Sequence, residues 1–304
     1  MGKIAFVFSG QGSQYSGMGK ELYDCSPKAK AVFDMADAIR KDTSTQCFTA
    51  TKEELSQTVN TQPCVFTVDL AAANAVVEKG ITPDYIAGFS LGEIVALGFS
   101  GMMSYEDAFR LVCKRAELME EATHESRGVM LAVMKLTPET VEEICSGFDD
   151  TYPVNYNSPA QTVVATTEDN AEKIMETVKS RKGKAVKLAV SGAFHSPFMH
   201  SASIGLSEYL SDKSLNSPKI PVYSNVTAQP YSDNATENKA LITKQVENPV
   251  QWQKTVENLI ANGVDTFIEV GVGKTLAGLI KKIDKNVAVF NIENKETLET
   301  LNSL

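Results

Sequence analysis

The sequence DYIAGFSLGEIVALGFSG, residues 84–101, is the most informative part of the chain. A short apolar segment ends at residues 88–92, which read GFSLG, and a helix-like apolar run follows. In this G-x-S-x-G pattern the glycines permit a cramped turn from strand to helix that lifts the serine oxygen clear of the backbone. The positive end of the helix then lies beside that oxygen. The pattern predicts an α/β fold with Ser90 as a nucleophile; the alternative is a small residue in a tight turn.

Strands and helices alternate on both sides of this turn, which predicts a large α/β domain with a parallel sheet and a hydrolase-like core. The predicted strands are residues 3–9, 85–88, 221–226, 265–271 and 287–292, and the predicted helices are 65–78, 105–122, 255–263 and 275–283.

A different order of elements interrupts this alternation between residues 126 and 191. Strand-like segments at 128–136, 152–158, 161–167 and 184–190 are separated by helical patterns at 137–148 and 170–181. The order β-α-β-β-α-β is that of a ferredoxin-like unit. We therefore expect residues 1–125 and 192–304 to form the large catalytic domain and residues 126–191 to form an inserted ferredoxin-like subdomain.

Composition limits the possible partners and location. The chain has 304 residues, 43% of them hydrophobic, and a formal net charge of −9. Its negative field repels phosphates, so neither nucleic acid nor an anionic membrane is expected as a partner. No run reaches about 18 apolar residues, and MGKIAFVFSGQG is broken by glycine and polar residues too early for a signal peptide. We expect a cytoplasmic protein.

Several familiar site patterns are absent or incomplete. The GQG at residues 10–12 lacks the third glycine of a dinucleotide fingerprint, since position 15 is Tyr15. The GKT at 273–275 lacks the first glycine of a P-loop, since position 268 is Ile268. Five cysteines without a C-x-x-C spacing argue against a disulfide framework or a zinc site, so buried thiols and no metal are expected.

A serine hydroxyl needs a base that takes its proton, and the chain offers His124, His195 and His200. His124 ends a charged helix and His200 lies among small polar residues, so both are expected at the surface. His195 follows the last strand of the subdomain, where Gly192 and Pro197 indicate a shaped loop at the domain junction. We predict that His195 is the base.

Arg115 lies beside the apolar face of the helix predicted at 105–122, close to Met119 by helical geometry. We expect it to be half buried, and a half-buried guanidinium requires an anionic partner. That partner is either an internal Asp or Glu or the carboxylate of a substrate. The planar guanidinium of arginine suits bidentate binding of a carboxylate. The second hypothesis therefore implies a dicarboxylic acyl substrate, which carries a free acid besides the reacting carbonyl.

Together these features resemble the malonyl-CoA:acyl carrier protein transacylases over nearly the whole chain. The family's motifs occur here in order, as GQGSQYSGMG, GFSLGE, KRAELM, NYNSP, GAFHSPFM, ENPVQW and EVGVGKTL. The family also has an inserted ferredoxin-like subdomain. The form GAFHS resembles the malonyl-selecting version of its loop.

The resemblance implies a role for each matching residue. Ser90 would accept the malonyl group from coenzyme A, with His195 as base and then acid, and the backbone amides of Gln11 and Leu91 would form the oxyanion hole. Arg115 would hold the malonate carboxylate. The remaining implied site residues are Gln62, Phe89 and Met119 in the substrate pocket, and the Asn248 to Gln251 segment, whose main-chain carbonyls would orient the histidine.

The implied reaction is a two-step exchange with ping-pong kinetics, in which the phosphopantetheine thiol of an acyl carrier protein resolves the malonyl-serine ester. Coenzyme A thioester is then a substrate, and no permanently bound cofactor is expected. Because acyl carrier proteins are acidic, this acidic enzyme needs a local basic patch for docking. The first candidate patch comprises Lys179, Arg181, Lys182, Lys184 and Lys187, and the second comprises Lys281, Lys282 and Lys285.

Two positions depart from the family pattern. Phe89 replaces the usual histidine before the nucleophile, which leaves open an altered acyl selectivity or a non-catalytic carrier-binding protein. Val272 replaces the proline of EVGPGK and is expected to alter only a turn. A serine thioesterase is a further alternative, although about a third of the chain follows His195, unlike in an α/β-hydrolase.

Overall fold

A computed structural model describes residues 2–303, and its larger sheet has five parallel strands. In spatial order these are β7 (Val222–Tyr223), β2 (Tyr85–Gly88), β1 (Lys3–Phe8), β8 (Val264–Val270) and β9 (Ala288–Ile292).

The central strand β1 explains how this sheet holds the core. Phe6 and Phe8 pack on one face, whereas Ala5 and Val7 pack on the other, and all four are fully buried. Successive side chains of a strand point to opposite faces, so a continuous apolar run requires cover on both sides. Helices supply that cover, and the predicted α/β fold with a parallel sheet is confirmed.

The helices of the chain fall into three groups by sequence. Those before the second sheet are α1 (Lys20–Cys25), α2 (Pro27–Ile39), α3 (Thr43–Thr49), α4 (Lys52–Ser56), α5 (Thr58–Glu78), α6 (Leu91–Phe99) and α7 (Tyr105–Glu125). Those within it are α8 (Pro138–Cys145) and α9 (Glu168–Ser180). Those after it are α10 (His200–Leu210), α11 (Ala235–Lys244), α12 (Trp252–Ala261), α13 (Thr275–Ile283) and α14 (Lys295–Glu299).

The second sheet is antiparallel and comes entirely from residues 128–187. Its strands lie in the order β4 (Tyr152–Ser158), β5 (Gln161–Thr167), β3 (Gly128–Met134) and β6 (Lys184–Lys187). Helices α8 and α9 cover one face with a separate apolar cluster that includes Leu131, Val164 and Ile174. This is the predicted β-α-β-β-α-β order, while the exact domain boundaries at 126 and 191 stay a prediction.

Main-chain hydrogen bonds at Val250 join the antiparallel sheet to the segment before α12. The N–H of Val250 donates to the carbonyl oxygen of Val154, and its own carbonyl accepts from the N–H of Tyr156, each at 2.9 Å. The segment before α12 thus extends the edge of β4 in parallel. This connection fixes the antiparallel sheet beside the carboxyl ends of the parallel strands, where a cleft forms.

Several element bounds differ from the sequence predictions. The strand expected at 184–190 ends at Lys187, and the one expected at 221–226 contains only Val222–Tyr223. Helix α5 begins at Thr58, seven residues before the predicted start, and includes Pro63. Because the first half of α5 is buried on nearly all sides, it has no apolar stripe for the periodicity to reveal.

The burial of the cysteines and the hydropathy of the helices bear on two expectations from composition. Three of the five thiols are buried, Cys113 is partly buried, and Cys25 is exposed, so the expectation of buried thiols was wrong for Cys25. None of the helices within residues 2–303 is long and apolar enough to cross a membrane.

Candidate active site

Ser90 occupies a strained turn between β2 and α6. Its backbone has φ 56° and ψ −108°, a conformation that ordinary side chains seldom adopt. The flanking glycines are required by close approach: a Cβ on Gly88 would lie 2.0 Å from the carbonyl carbon of Gly92, and one on Gly92 would lie 2.3 Å from the oxygen of Phe8. The Ser90 N–H donates to Oδ1 of Asn225 at 2.7 Å, which ties the turn to the loop after β7.

The structure brings His195 to this serine from a distant part of the chain. Its Nε2 lies 2.8 Å from Ser90 Oγ, and its Nδ1 lies 2.8 Å from the main-chain oxygen of Gln245. The carbonyl can only accept, so Nδ1 carries the proton and Nε2 is free to accept from the serine hydroxyl. Burial of the ring and the positive charge of Arg115 lower the pKa of His195 to about 4. The imidazole is therefore neutral and able to act as a base.

Arg115 is more buried than predicted, with 1% of its surface exposed. Nη1 donates to Gln62 Oε1 at 2.7 Å, and Nη2 donates to Gln245 Oε1 at 2.8 Å and to Ser90 Oγ at 3.1 Å. Its Nε has no acceptor among the described residues. None of the ion pairs within residues 2–303 includes it, so an internal Asp or Glu in direct contact is ruled out there. Burial lowers its pKa to about 10, which still leaves the guanidinium charged at neutral pH.

Two main-chain N–H groups near Ser90 in the fold, those of Gln11 and Leu91, are candidates for an oxyanion hole. Leu91 is the first residue of α6, where main-chain N–H groups have no intrahelical acceptor. Gln11 lies in the turn after β1, and it lines the same cavity as Ser90 and His195. Outside the regular helices and strands of residues 2–303, no hydrogen bond uses the main-chain N–H of Gln11 or Leu91. Both groups remain available for an oxyanion.

Gln245 is the principal site residue that sequence analysis missed. Besides its contacts with His195 and Arg115, its Nε2 donates to the main-chain oxygen of Ser90 and to Glu93 Oε2, both at 2.7 Å. It lies just before the ENPVQW motif, outside the segment Asn248 to Gln251 that was predicted to support the histidine. A buried glutamine in a short 3₁₀ helix carries no periodic signal that would have identified it.

Of the two residues predicted to support the histidine, Asn248 and Gln251, only Asn248 acts on it. The main-chain carbonyl of Asn248, together with that of Gln245, raises the pKa of His195 and so opposes the effect of burial. Gln251 instead donates its main-chain N–H to the oxygen of Asn225 at 2.8 Å and directly precedes α12. The structure therefore does not bring Gln251 to the imidazole.

A cavity of about 250 Å³ opens in front of Ser90 and His195, between the two sheets. One wall comes from the turn after β1, residues 9–13, and from α13, and the opposite wall comes from the antiparallel sheet and the segment that follows β6. Its apolar lining residues include Phe89, Met130, Ala132, Val163, Leu188, Val190, Phe194, Leu276 and Leu279, and its polar ones include Asn155, Asn157, Gln161 and Thr275. The Oδ1 atom of Asn157 is buried and has no partner among the described residues.

The other predicted pocket residues occupy three different positions. Gln62 contacts Arg115, and its Nε2 donates to the Sδ atom of Met119 at 3.4 Å. Met119 is buried beside Gln62 and does not line the cavity. Phe89 lines the cavity, and its ring packs edge-on against Trp252 with ring centres 5.7 Å apart. Phe89 thus contributes an apolar surface beside the nucleophile.

The two basic patches differ in how their charges are used. All eight side chains are exposed. In the first patch, Arg181 pairs with Glu143 at 2.9 Å and Lys187 pairs with Glu168 at 2.5 Å. In the second, Lys282 Nζ donates to Oε1 of Gln161 at 3.2 Å, and Gln161 lines the cavity. Lys282 therefore lies at the cavity mouth, where α13 meets the antiparallel sheet.

Among residues 2–303, no group of three or more His, Cys, Asp or Glu side chains is arranged to hold a metal ion.

Val272, the other departure from the family pattern, has a contact that a proline could not make. Its N–H donates to Oδ1 of the buried Asp69 at 3.0 Å. The other carboxylate oxygen of Asp69 accepts from Ser9 Oγ at 3.0 Å, at the start of the turn after β1.

Comparison with known proteins identifies relatives along the whole chain. The sequence model of the family described as acyl transferase domain matches residues 5–298. The malonyl CoA-acyl carrier protein transacylase of Bacillus subtilis (strain 168) is 39% identical over 98% of this chain and 96% of its own length. That of Staphylococcus aureus (strain MRSA252) is 38% identical over 99% of both chains. These relatives support the transacylase prediction and not the thioesterase, non-catalytic or altered-selectivity alternatives.

Solved structures agree with the sequence relatives. The malonyl CoA-acyl carrier protein transacylase of Clostridium perfringens ATCC 13124 has a TM-score of 0.94 at 40% identity, covering 99% of this chain and 96% of that one. A malonyl-transacylase solved in complex with a type II PKS acyl-carrier protein has a TM-score of 0.94 at 32% identity, covering 98% of each chain. The chain therefore belongs to the acyl transferase domain family, among the malonyl CoA-acyl carrier protein transacylases.

Proposed function

We propose that this protein transfers a malonyl group from malonyl-CoA to the phosphopantetheine thiol of an acyl carrier protein, through an ester on Ser90. The observation that carries the proposal is Arg115, a buried guanidinium 3.1 Å from Ser90 Oγ that has only neutral groups in contact. A buried cation beside a nucleophile favours a substrate that brings its own carboxylate. Malonyl-CoA has that carboxylate next to the reacting thioester.

In the first step, Ser90 Oγ attacks the thioester carbon while Nε2 of His195 takes the hydroxyl proton. The negative charge that develops on the carbonyl oxygen is stabilised by the main-chain N–H groups of Gln11 and Leu91. When the tetrahedral intermediate collapses, the carbon–sulfur bond breaks and His195 returns the proton to the departing thiolate. The products are malonyl-Ser90 and coenzyme A.

Binding of the malonyl carboxylate also tunes the base. Arg115 is the second cause of the low pKa of His195, after burial. A carboxylate on the guanidinium offsets that positive charge, so the pKa of the imidazole rises when malonyl-CoA binds. A ring that is neutral in the free enzyme then becomes a stronger base once the correct substrate is present. This coupling favours dicarboxylic acyl groups at the chemical step as well as in binding.

In the second step, the carrier thiol enters along the cavity, gives its proton to His195 and attacks the ester carbon. The bond to Ser90 Oγ breaks and the serine recovers its proton from the imidazole. The cavity between the sheets suits a narrow pantetheine arm, because it is largely apolar with amide side chains along one wall. The unpaired Oδ1 of Asn157 is available to accept from an amide N–H of that arm.

Carrier docking is proposed at the cavity mouth, with basic residues on both sides. On one side, Lys282 contacts Gln161, which lines the cavity. On the other side, Leu188 lines the cavity and directly follows Lys187, the last residue of the first patch. Lys184 and Lys182 of that patch are exposed and belong to none of the ion pairs of the described residues. Basic side chains at this rim would offset the repulsion between an enzyme of charge −9 and an acidic carrier.

The same proposal has three further parts. Ser90 is the acylated residue, the enzyme has no resident cofactor, and it is located in the cytoplasm.

The experiment that tests the proposal is intact-mass measurement after brief exposure to malonyl-CoA, with acetyl-CoA and Ser90→Ala in parallel. We expect one malonyl adduct that is absent in the variant and that transfers to added carrier protein. Rapid release of free malonate without an adduct would contradict transfer to a carrier. An adduct that persists in Ser90→Ala would contradict the assignment of the nucleophile.

A further inference from the structure

Glu93 is a buried carboxylate in the first turn of α6 that the proposed mechanism does not use. It is 1% exposed, and both of its oxygens accept hydrogen bonds. Oε1 accepts from the Tyr231 hydroxyl at 2.5 Å, and Oε2 accepts from Gln245 Nε2 at 2.7 Å and from the Asn225 N–H at 3.2 Å. Burying a carboxylate is costly unless its oxygens are paired, so this complete set of donors points to a specific role.

The contacts of Glu93 fix the orientation of one side-chain amide. An amide has donors at its nitrogen end and an acceptor at its oxygen end. Gln245 Nε2 lies between two acceptors, Glu93 Oε2 and the main-chain oxygen of Ser90, so its Oε1 must face the other way. There it accepts from Arg115 Nη2 at 2.8 Å. If the amide were reversed, its NH₂ would face the guanidinium, and two donors would meet without an acceptor.

Gln245 therefore connects Glu93 to the guanidinium that lies beside Ser90. Nη2 of Arg115 contacts only Gln245 Oε1 and Ser90 Oγ within the described residues, so the amide oxygen sets where this nitrogen points. The negative charge of Glu93 also opposes the lowering of the Arg115 pKa by burial. A guanidinium that is both charged and aimed at the reacting centre is the requirement for bidentate capture of a carboxylate.

We propose that Glu93 is a positioning residue that determines acyl specificity, because it orients Gln245 and thereby holds Arg115 in place for a carboxylate-bearing acyl group. The inference rests on the proposed function, since it specifies how Arg115 is prepared for the malonyl carboxylate. Glu93 contacts no substrate and acts through Gln245.

The test measures the ratio of kcat/KM for Ser90 loading by malonyl-CoA to that by acetyl-CoA, using quenched-flow and intact mass. Glu93→Leu removes the acceptor of Gln245, so we expect the ratio to fall by about tenfold or more, as when one hydrogen bond to a charged group is lost. Glu93→Gln retains an oxygen that can accept from Gln245, and we expect its ratio within about threefold of the unmodified protein. This rescue by the amide separates orientation from charge.

Tyr231→Phe is the matched control, because it removes a donor from the same carboxylate but from the opposite oxygen. We expect it to preserve the ratio. If Glu93→Leu fails to fold, Gln245→Met replaces it, since the main-chain oxygen that supports His195 remains and only the amide is lost. Its ratio should fall as far.

Equal losses of malonyl and acetyl loading in Glu93→Leu or Gln245→Met would overturn the inference, because that outcome is expected from a general packing defect. A ratio in Glu93→Gln as low as in Glu93→Leu would also overturn it. An Arg115→Ala variant is measured in parallel. If its ratio is unchanged, the proposed carboxylate site itself fails, whereas a loss in Arg115→Ala without one in Glu93→Leu rejects only the role of Glu93.

Discussion

Arg115 and the exposed basic patch at residues 179–187 use positive charge in opposite ways. Arg115 is one cation, buried, with amide and hydroxyl oxygens as its acceptors. The patch has five cations on the surface, and two of them pair with the chain's own carboxylates, Glu143 and Glu168. Water and salt screen the exposed charges strongly and the buried one only weakly.

The difference explains why one buried residue can outweigh five exposed ones in selecting a substrate. An exposed ion pair contributes about 0–1 kcal/mol, because both partners are well solvated when apart. A buried cation has already lost its water, so an incoming carboxylate restores a partner that no other group supplies. We therefore expect Arg115 to govern which acyl group is loaded, and the surface lysines to govern how readily the carrier is found.

Removal of the buried cation should lower activity more than any other change considered below. Arg115→Ala should lower kcat/KM for malonyl loading by about 100-fold or more, in line with truncation of one partner of a buried charge pair. Loading from acetyl-CoA, which has no carboxylate, should fall much less. Steady-state loading of Ser90 from each thioester measures both. Equal losses would mean that the guanidinium serves the fold or the serine and not the carboxylate.

A second effect concerns the base beside that cation. Because the pKa of His195 is lowered to about 4, by burial first and Arg115 second, acetyl loading should be independent of pH between about 8 and 5. Below about pH 4 the ring becomes protonated and the rate falls. In Arg115→Ala the second cause is gone, so the fall should occur at higher pH. Rate–pH profiles with acetyl-CoA avoid titration of the malonyl carboxylate.

The control for this profile is the exposed histidine, His200, which contacts Glu247 on the surface. His200→Ala should leave the profile unchanged. A profile that falls near pH 6.5 in the unmodified protein would contradict a depressed pKa for His195. An identical profile in Arg115→Ala would show that burial alone sets it.

The smallest effects are expected at the surface. Lys282→Glu at the cavity mouth, or Lys184→Glu in the first patch, should raise KM for the carrier protein by about threefold to tenfold and leave KM for malonyl-CoA unchanged. Added salt should shrink the difference between variant and unmodified protein. Lys79→Glu is a matched control, since Lys79 is exposed at the end of α5, away from the cavity.

Comparing the two reversals distinguishes the two candidate docking surfaces. A larger increase in Lys282→Glu would assign docking to the α13 side of the mouth, whereas a larger increase in Lys184→Glu would assign it to the β6 side. Equal changes in Lys79→Glu would contradict a localised carrier site and would reflect net charge alone.

Features that depend on local pattern could be predicted from the amino-acid sequence alone. The GFSLG turn after a short apolar strand indicated the parallel sheet and a serine lifted from the backbone, because only glycine tolerates such close approach at residues 88 and 92. Segment order indicated the second sheet, since strand and helix periods differ. With three histidines in the chain, their local surroundings were sufficient to select His195.

The contacts among the site residues, in contrast, depend on how distant segments pack in three dimensions. Gln245 lies 155 residues from Ser90 in sequence, yet it contacts the serine, the histidine and the arginine. Nothing local distinguishes it, because its role comes from the packing of a short 3₁₀ helix against two other segments. The full burial of Arg115 likewise depends on α5 and the Gln245 segment closing over it, whereas helical periodicity reports only one helix face. Pairwise contacts between distant segments are set by the fold, and no single stretch of sequence encodes them.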